Sequence, residues 1–325
     1  MKALLCHQFG PIESLVISDI ESPSITENQV LIKVKACGVN FPDTLMVQGK
    51  YQFKPAFPFA PGGEVAGIVK AVGINVRHLK VGDRVFSLTG HGGFAEEAIG
   101  EANKTFLIPP DMDFITASST MYTYGTSYHA LKDRANLKAG ETLLVLGAAG
   151  GVGLAAVQLA KIMGAKVIAA ASTSEKLEIC KQMGAFETIN YETEDIKERI
   201  KEITGGKGVD VVYDAVGDRY SEPSVRSLAW KGRYLVVGFA AGEIPKIPLN
   251  LTLLKGASIV GVFWGMFAQN EPMQSLMNFK EILDFIKEGK LKQHIHKIYN
   301  LLNAKEALLD LANRKVVGKC VIEID

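Results

Sequence analysis

Cysteine is scarce in this 325-residue chain: the four present, Cys6, Cys37, Cys180 and Cys320, stand far apart. Their scatter excludes the paired spacing of a metal ribbon and the dense framework of a disulfide-stapled domain. It points to reduced, buried thiols in a cytoplasm-like compartment. An excess of either charge is missing too. With 36 basic and 35 acidic residues the formal net charge is +1, which argues against a broad surface for nucleic acid or an anionic membrane. No secretory signal is legible, because the apolar start from Met1 to Cys6 is short and has no small-residue cleavage site. One long uncharged run lies between Glu141 and Lys161, but a glycine cluster at its middle divides it into strand, turn and helix and removes a membrane span. The length suits two domains, and an apolar fraction of 47% is ample for burial.

That divided run, Thr142 to Gly153, is the most informative stretch. Thr142 to Leu146 reads as a strand buried on both faces, and Leu154, Val157 and Lys161 follow helical spacing. Between them Gly147, Gly150 and Gly153 recur every third residue. Such a turn reverses tightly, brings bare backbone close to a ligand and aims the first helical N–H groups at an anion. The anion expected is a dinucleotide pyrophosphate, although Ala148 stands where the commoner G-x-G-x-x-G has a glycine.

The following residues repeat the strand-helix alternation. Strands are expected at Lys166–Ala170, Phe186–Asn190, Val209–Tyr213, Arg233–Gly238 and Ser258–Phe263. Helices are expected at Ser174–Met183, with Ser172 and Glu175 as a capping box, at Thr193–Thr204, stopped by Gly205-Gly206, and at Arg219–Ala229. With the first strand this makes one doubly wound parallel six-stranded Rossmann sheet, the α/β part of the chain. Residues 1 to about 115 differ: short alternating runs at Ala3–Cys6, Leu15–Ile20, Val30–Lys35, Glu64–Val72, Arg84–Leu88 and Phe94–Ile99 read as a β-rich domain. Tyr51 to Pro61 holds three prolines and four aromatics, so it is expected as an ordered loop carrying apolar rings. From Pro272 come a helix to about Glu288, a stop at Gly289, a strand near His294–Tyr299 and a final helix capped by Asn303 and Glu306. These elements are expected to rejoin the first domain, giving 1–118 plus 266–325 around a dinucleotide domain at 119–265, with the active cleft between them.

Lys35 to Gly73, with Ala-Cys-Gly-Val-Asn-Phe-Pro-Asp, Gln-Gly-Lys-Tyr at 48–51 and Pro-Gly-Gly-Glu-Val-Ala-Gly at 61–67, resembles the medium-chain dehydrogenase/reductase superfamily. So do Val-Gly-Asp-Arg-Val at 81–85, the glycine turn, Val211 to Gly217, and Gly318-Lys319. The match spans essentially the whole chain and is most similar to the zinc-free quinone oxidoreductase branch. The resemblance implies a GroES-like catalytic domain beside the Rossmann domain. Where zinc-dependent relatives place a cysteine and a histidine ligand, this chain has Asn40 and Gly63, and the four-cysteine lobe is missing, so no metal is expected. Without a Lewis acid, alcohol oxidation is hard to support. Reduction of an electrophilic acceptor, a quinone or an α,β-unsaturated carbonyl, needs only hydrogen bonds and a proton.

The end of the second strand speaks to the cofactor. An NAD site usually carries Asp or Glu there for the ribose 2′-OH. Here stand Ala171, Ser172, Thr173 and Ser174, with Lys176 nearby, so a 2′-phosphate would meet hydroxyls and a cation, and NADPH is expected over NADH. The resemblance adds Tyr191 and Arg314 as cofactor contacts. With them go Asn40, Thr126, Gly147, Gly150, Gly151, Val152, Gly153, Gly238, Phe239, Phe263, Trp264 and Lys319.

For catalysis the expected residue is Tyr51, which matches the tyrosine that related 2-enoyl thioester reductases use as a proton donor. A phenol with a pKa near ~10 can protonate an enolate or a quinol anion, and solvent is the alternative donor. Leu45 stands where some relatives carry a second tyrosine, while Asn40, Asp43 and Thr126 are expected to orient nicotinamide and substrate. Tyr51, Phe53, Phe57 and Trp264 would wall an apolar slot for a flat acceptor. His78, His91, His129, His294 and His296 show no metal pairing and read as surface or core packing. Three readings follow: an NADPH:quinone oxidoreductase, an enone or enoyl-thioester reductase, and a non-catalytic NADPH-binding protein. Family resemblance also implies a homodimer, with Ser258 to Gly265 as the candidate edge.

Overall fold

The computed structural model describes residues 1–325, and two compact units emerge from it: Met1–Tyr122 with Ile295–Asp325, and Thr123–His294. In the first, β1 (Lys2–Leu5) pairs antiparallel with β2 (Val16–Asp19). The apolar alternation after Gln29 becomes the long strand β3 (Gln29–Val39), followed by β4 (Glu64–Val72), β5 (Arg84–Leu88), β6 (Glu97–Glu101) and β7 (Thr105–Leu107). The β3 face carrying Val30, Ile32 and Val34 is fully buried against Val65, Val69, Val85 and Phe94, which is why β-branched residues alternate there. A short helix, Phe41–Val47, follows β3; Asn40 caps it and Asp43 closes the capping box.

The second unit holds β8 (Thr142–Leu146), β9 (Lys166–Ala171), β10 (Glu187–Asn190), β11 (Val209–Asp214), β12 (Leu228–Val236) and β13 (Ser258–Gly261). They form one parallel sheet in the order β10-β9-β8-β11-β12-β13, the expected Rossmann order. The chain then returns to the first unit as β14 (Ile295–Asn300) and β15 (Lys319–Glu323), completing a seven-stranded sheet in the order β14-β15-β3-β4-β5-β7, with β6 on β3. No helix is long and apolar enough to cross a membrane.

Several boundaries differ from expectation. The return comes at Ile295 instead of 266, because the helix Pro272–Lys287 is tied within the second unit: Lys132 Nζ donates to Glu281 Oε1 at 2.8 Å and Asn278 Nδ2 to Asp133 Oδ2 at 2.7 Å. The expected helix Arg219–Ala229 stops at Arg226, and Leu228 and Ala229 open β12. Lys231, with φ +62°, breaks the strand's regular period before Arg233, so only the second half was legible as a strand. The helix after β10 starts at Ile196, three residues later than Thr193, because the Asp195 side chain caps it by accepting from Glu198 N at 2.9 Å. The helix after β9 is capped by Thr173, which accepts from Lys176 N at 3.3 Å, so the expected Ser172–Glu175 box is displaced by one residue. Asn303 makes no side-chain cap; Asn300 accepts from Asn303 N at 3.0 Å instead.

Candidate active site

In the first unit the end of β3, the helix at Phe41, the turn Pro61–Gly63 and β15 converge on a buried polar cluster. Asp43 is 2% exposed; one carboxylate oxygen accepts from Asn40 N at 2.8 Å and the other from Gly62 N at 3.2 Å. Glu64 is 1% exposed and accepts from Tyr122 N at 3.0 Å and Asn40 Nδ2 at 3.2 Å. Lys319 reaches in from β15: its ammonium donates to Asn40 Oδ1 at 2.7 Å and Val39 O at 2.9 Å, and lies 3.6 Å from Glu64 Oε2. Two carboxyls thus face one ammonium, and full ionisation would leave a net negative charge out of water. Burial, reinforced by Glu64 and opposed by the Asn40 and Gly62 N–H groups and Lys319, pushes Asp43 up to about 7. Burial also raises Glu64, against Lys319 and its hydrogen bonds.

Two of the expected residues, Lys319 and Asn40, are bound to each other. The ammonium of Lys319 makes two hydrogen bonds and one ion pair inside the unit, and through them it holds Asn40. The amide of Asn40, which also donates to Gly38 O at 3.3 Å, is thereby fixed at both ends. Tyr51 is partly buried against the apolar core, and its phenol is pushed up by burial and by Asp43, so it stays protonated at neutral pH. The sequence reading missed Tyr122. A Cβ built on Gly63 would lie 2.8 Å from the Tyr122 hydroxyl and 2.8 Å from Gly90 O, so the place of a ligand-bearing side chain at 63 is already filled. No three His, Cys, Asp or Glu side chains come together where they could hold a metal ion, and the residues here do not fit one. Phe53 and Phe57 are both exposed, Phe57 packing edge-on against Phe9 at 4.6 Å. Arg314 is exposed in the turn after the helix Ala304–Ala312, with φ +58°.

In the second unit the glycine turn lies between β8 and the helix Gly151–Ile162, at the point where the strand order reverses. Gly147 takes φ +67°, and a Cβ on Gly153 would lie 2.2 Å from Gly147 O. The helix starts after Gly150 without a side-chain cap, which leaves its first N–H groups for an anion. Around it, Ser127 Oγ, next to Thr126, donates to Val152 O at 2.7 Å, and a Cβ on Gly125 would touch the buried Trp264 ring at 2.8 Å. Phe263 beside it is exposed. Asp214, also missed from sequence, is buried at the end of β11 and accepts from Val216 N at 2.7 Å and Gly217 N at 2.8 Å. Its backbone carbonyl takes Gly238 N at 3.2 Å, and a Cβ on Gly217 would lie 2.9 Å from the Phe239 ring, so these loops are set together. At the end of β9, Lys176 Nζ donates to Ser172 Oγ at 3.3 Å, which places a cation beside a hydroxyl. Tyr191 packs on Tyr220 with ring centres 4.4 Å apart. These residues fit a dinucleotide.

The family model described as alcohol dehydrogenase GroES-like domain matches residues 26–110, and that described as zinc-binding dehydrogenase matches 151–287. The chain is 41% identical to the quinone oxidoreductase-like protein 2 homolog of Nematostella vectensis, over 99% of this chain and 88% of that protein. It is 37% identical to the quinone oxidoreductase of Rattus norvegicus, over 99% and 97%. The chain belongs to the medium-chain dehydrogenase/reductase superfamily, in its zinc-free quinone oxidoreductase branch. Among solved structures, Escherichia coli quinone oxidoreductase complexed with NADPH superposes with a TM-score of 0.91 at 32% identity, covering 99% of this chain and 100% of that one. The zinc in the second family description has no counterpart in the side chains around Asn40 and Gly63.

Proposed function

We propose that this protein is an NADPH-dependent, metal-independent oxidoreductase that reduces a quinone. The reading is carried by the uncapped glycine turn at the switch point of the parallel sheet, in a chain similar end to end to proteins named quinone oxidoreductases. NADPH, when bound, supplies the hydride. Gly147, Gly150, Gly151, Val152 and Gly153 hold its pyrophosphate, and Ser172, Thr173, Ser174 and Lys176 take the 2′-phosphate. With a quinone acceptor, kcat/KM is expected to be at least about tenfold higher with NADPH than with NADH, as one charge-assisted contact to the phosphate requires. Equal values would overturn the assignment of Ser172 to Lys176.

Tyr51 supplies the proton to the reduced acceptor, with Asn40 and Asp43 holding the turn beside it and Phe53 and Phe57 contributing apolar wall. Enone reduction is the second reading: a phenol kept protonated by burial can still donate to the strongly basic carbon of an enolate. Tyr51→Phe is expected to lower kcat with an enone by roughly 100-fold and with a quinone by less, because a quinol anion takes its proton readily from water. Unchanged enone turnover would assign the proton to solvent.

The molecule is a homodimer in this proposal. Strand β13 pairs only with β12, and its free edge lies in a segment where Leu253, Leu254, Ile259 and Phe263 are all exposed. Sedimentation at micromolar concentration is expected to give the dimer mass; a monomer would contradict it. Four free, buried cysteines fit a cytoplasmic location.

A further inference from the structure

The loop Thr89–Gly93 is laid directly on the turn Pro61–Gly63. Thr89 N and Gly90 N donate to Gly63 O at 3.0 and 3.2 Å, Gly92 N donates to Ala60 O at 2.7 Å and Gly93 N to Gly62 O at 2.8 Å. This is the turn whose Gly62 N–H holds Asp43 and whose Gly63 abuts the Tyr122 hydroxyl. At the centre of the loop His91 is flanked by Gly90 and Gly92, with φ +77° and +94°. Its half-buried imidazole stacks on Phe53, with centroids 5.9 Å and planes 19° apart, and meets Phe59 edge-on at 6.2 Å. Neither ring nitrogen is hydrogen-bonded or ion-paired within the protein. Burial lowers its pKa, which keeps the ring neutral at pH 7, with one N–H to donate. Both ring nitrogens keep access to solvent beside the exposed Phe53 ring, and an apolar ring wall with one convergent polar group is the make-up of a site for a flat polar ligand.

We propose that His91 is a specificity-determining residue of the acceptor site: with Phe53 it receives a flat conjugated acceptor, and its N–H donates to the acceptor's carbonyl oxygen. The proposal rests on the reading that the acceptor is a conjugated carbonyl compound. His91 transfers no proton in this scheme; it orients the carbonyl and stabilises the oxygen as hydride arrives at the ring.

The test uses His91→Phe, which keeps the stack and removes the donor, and His91→Asn, which restores a donor without the aromatic ring. Menadione is titrated calorimetrically into the protein saturated with NADP⁺, and NADPH binding and the melting temperature are measured on each variant. His91→Phe is expected to raise the menadione Kd roughly tenfold, the worth of one hydrogen bond in a partly dry site, with NADPH affinity and melting unchanged. His91→Asn is expected to recover part of the loss. A menadione Kd for His91→Phe within about twofold of wild type would overturn the proposal, as would an equal loss of NADPH affinity, which would make His91 structural. Turnover of menadione by the wild type reports separately on the quinone reading, so the two can fail independently.

Discussion

Replacing Lys319 by Met is expected to destabilise the fold by about 3–5 kcal/mol at neutral pH, the range seen when one partner of a buried ion pair is removed. The ammonium is 3% exposed, lies 3.6 Å from the Glu64 carboxylate and also holds Asn40 Oδ1 and Val39 O. Met fills much of the same volume but leaves Asp43 and Glu64, both nearly inaccessible, with no cation. The loss has a pH signature. Asp43 is already raised from 3.8 to about 7, so between those values the folded state holds a proton that the unfolded chain has released. Stability contributed by such a group is present at acidic pH and falls as pH rises through the folded value. Without Lys319 both carboxyls rise further. The destabilisation should therefore be largest at about pH 8 and shrink towards about pH 5, as the two groups take up protons. Urea unfolding of wild type, Lys319→Met and Lys319→Met/Glu64→Gln at both pH values checks this, with the double variant expected to recover part of the neutral-pH loss. A single variant as stable as wild type at about pH 8 would show that the cluster is not ionised as described.

Gly153→Ala is expected to weaken NADPH binding by about tenfold or more, because the new methyl group has nowhere to go. A Cβ there meets Gly147 O at 2.2 Å and the Ala148 backbone at 2.8 Å, so the clash is with main chain in the phosphate turn itself. Relief requires the turn to open, and overpacking of this kind costs roughly 1–3 kcal/mol. Gly150→Ala supplies the control: its nearest neighbour is Gly147 O at 3.4 Å, an ordinary contact, so it should keep the fold and lose less affinity. Fluorescence titration with NADPH distinguishes them. Equal affinities for the two variants would mean that the turn does not need a glycine at 153.

Much of the second unit was legible because its signals are local. Buried strands of five or six residues, a glycine turn and a glycine helix stop such as the left-handed Gly205 announce themselves within a few residues. The errors arose where local rules compete. Ser172 and Thr173 are both good caps, and the backbone chose Thr173; Leu228 carries on the helical pattern, yet it pairs with Val209 in the sheet. The active-site candidates divide the same way. Asn40, Asp43 and Tyr51 were singled out from two short motifs at 36–43 and 48–51, whereas the meeting of Glu64, Tyr122 and Lys319 depends on the pairing of β3, β4 and β15 and has no sequence signal. His91 was passed over because a lone histidine between glycines gives no hint of the rings it will meet. Stacking on Phe53 depends on where the loop Thr89–Gly93 is hydrogen-bonded, which the sequence does not state.

The most direct test of the account follows the loss of NADPH absorbance with two acceptors side by side, a simple quinone and a crotonyl thioester. The quinone is expected to be the faster acceptor. Turnover of the thioester alone, or of neither acceptor while NADPH remains bound, would contradict it.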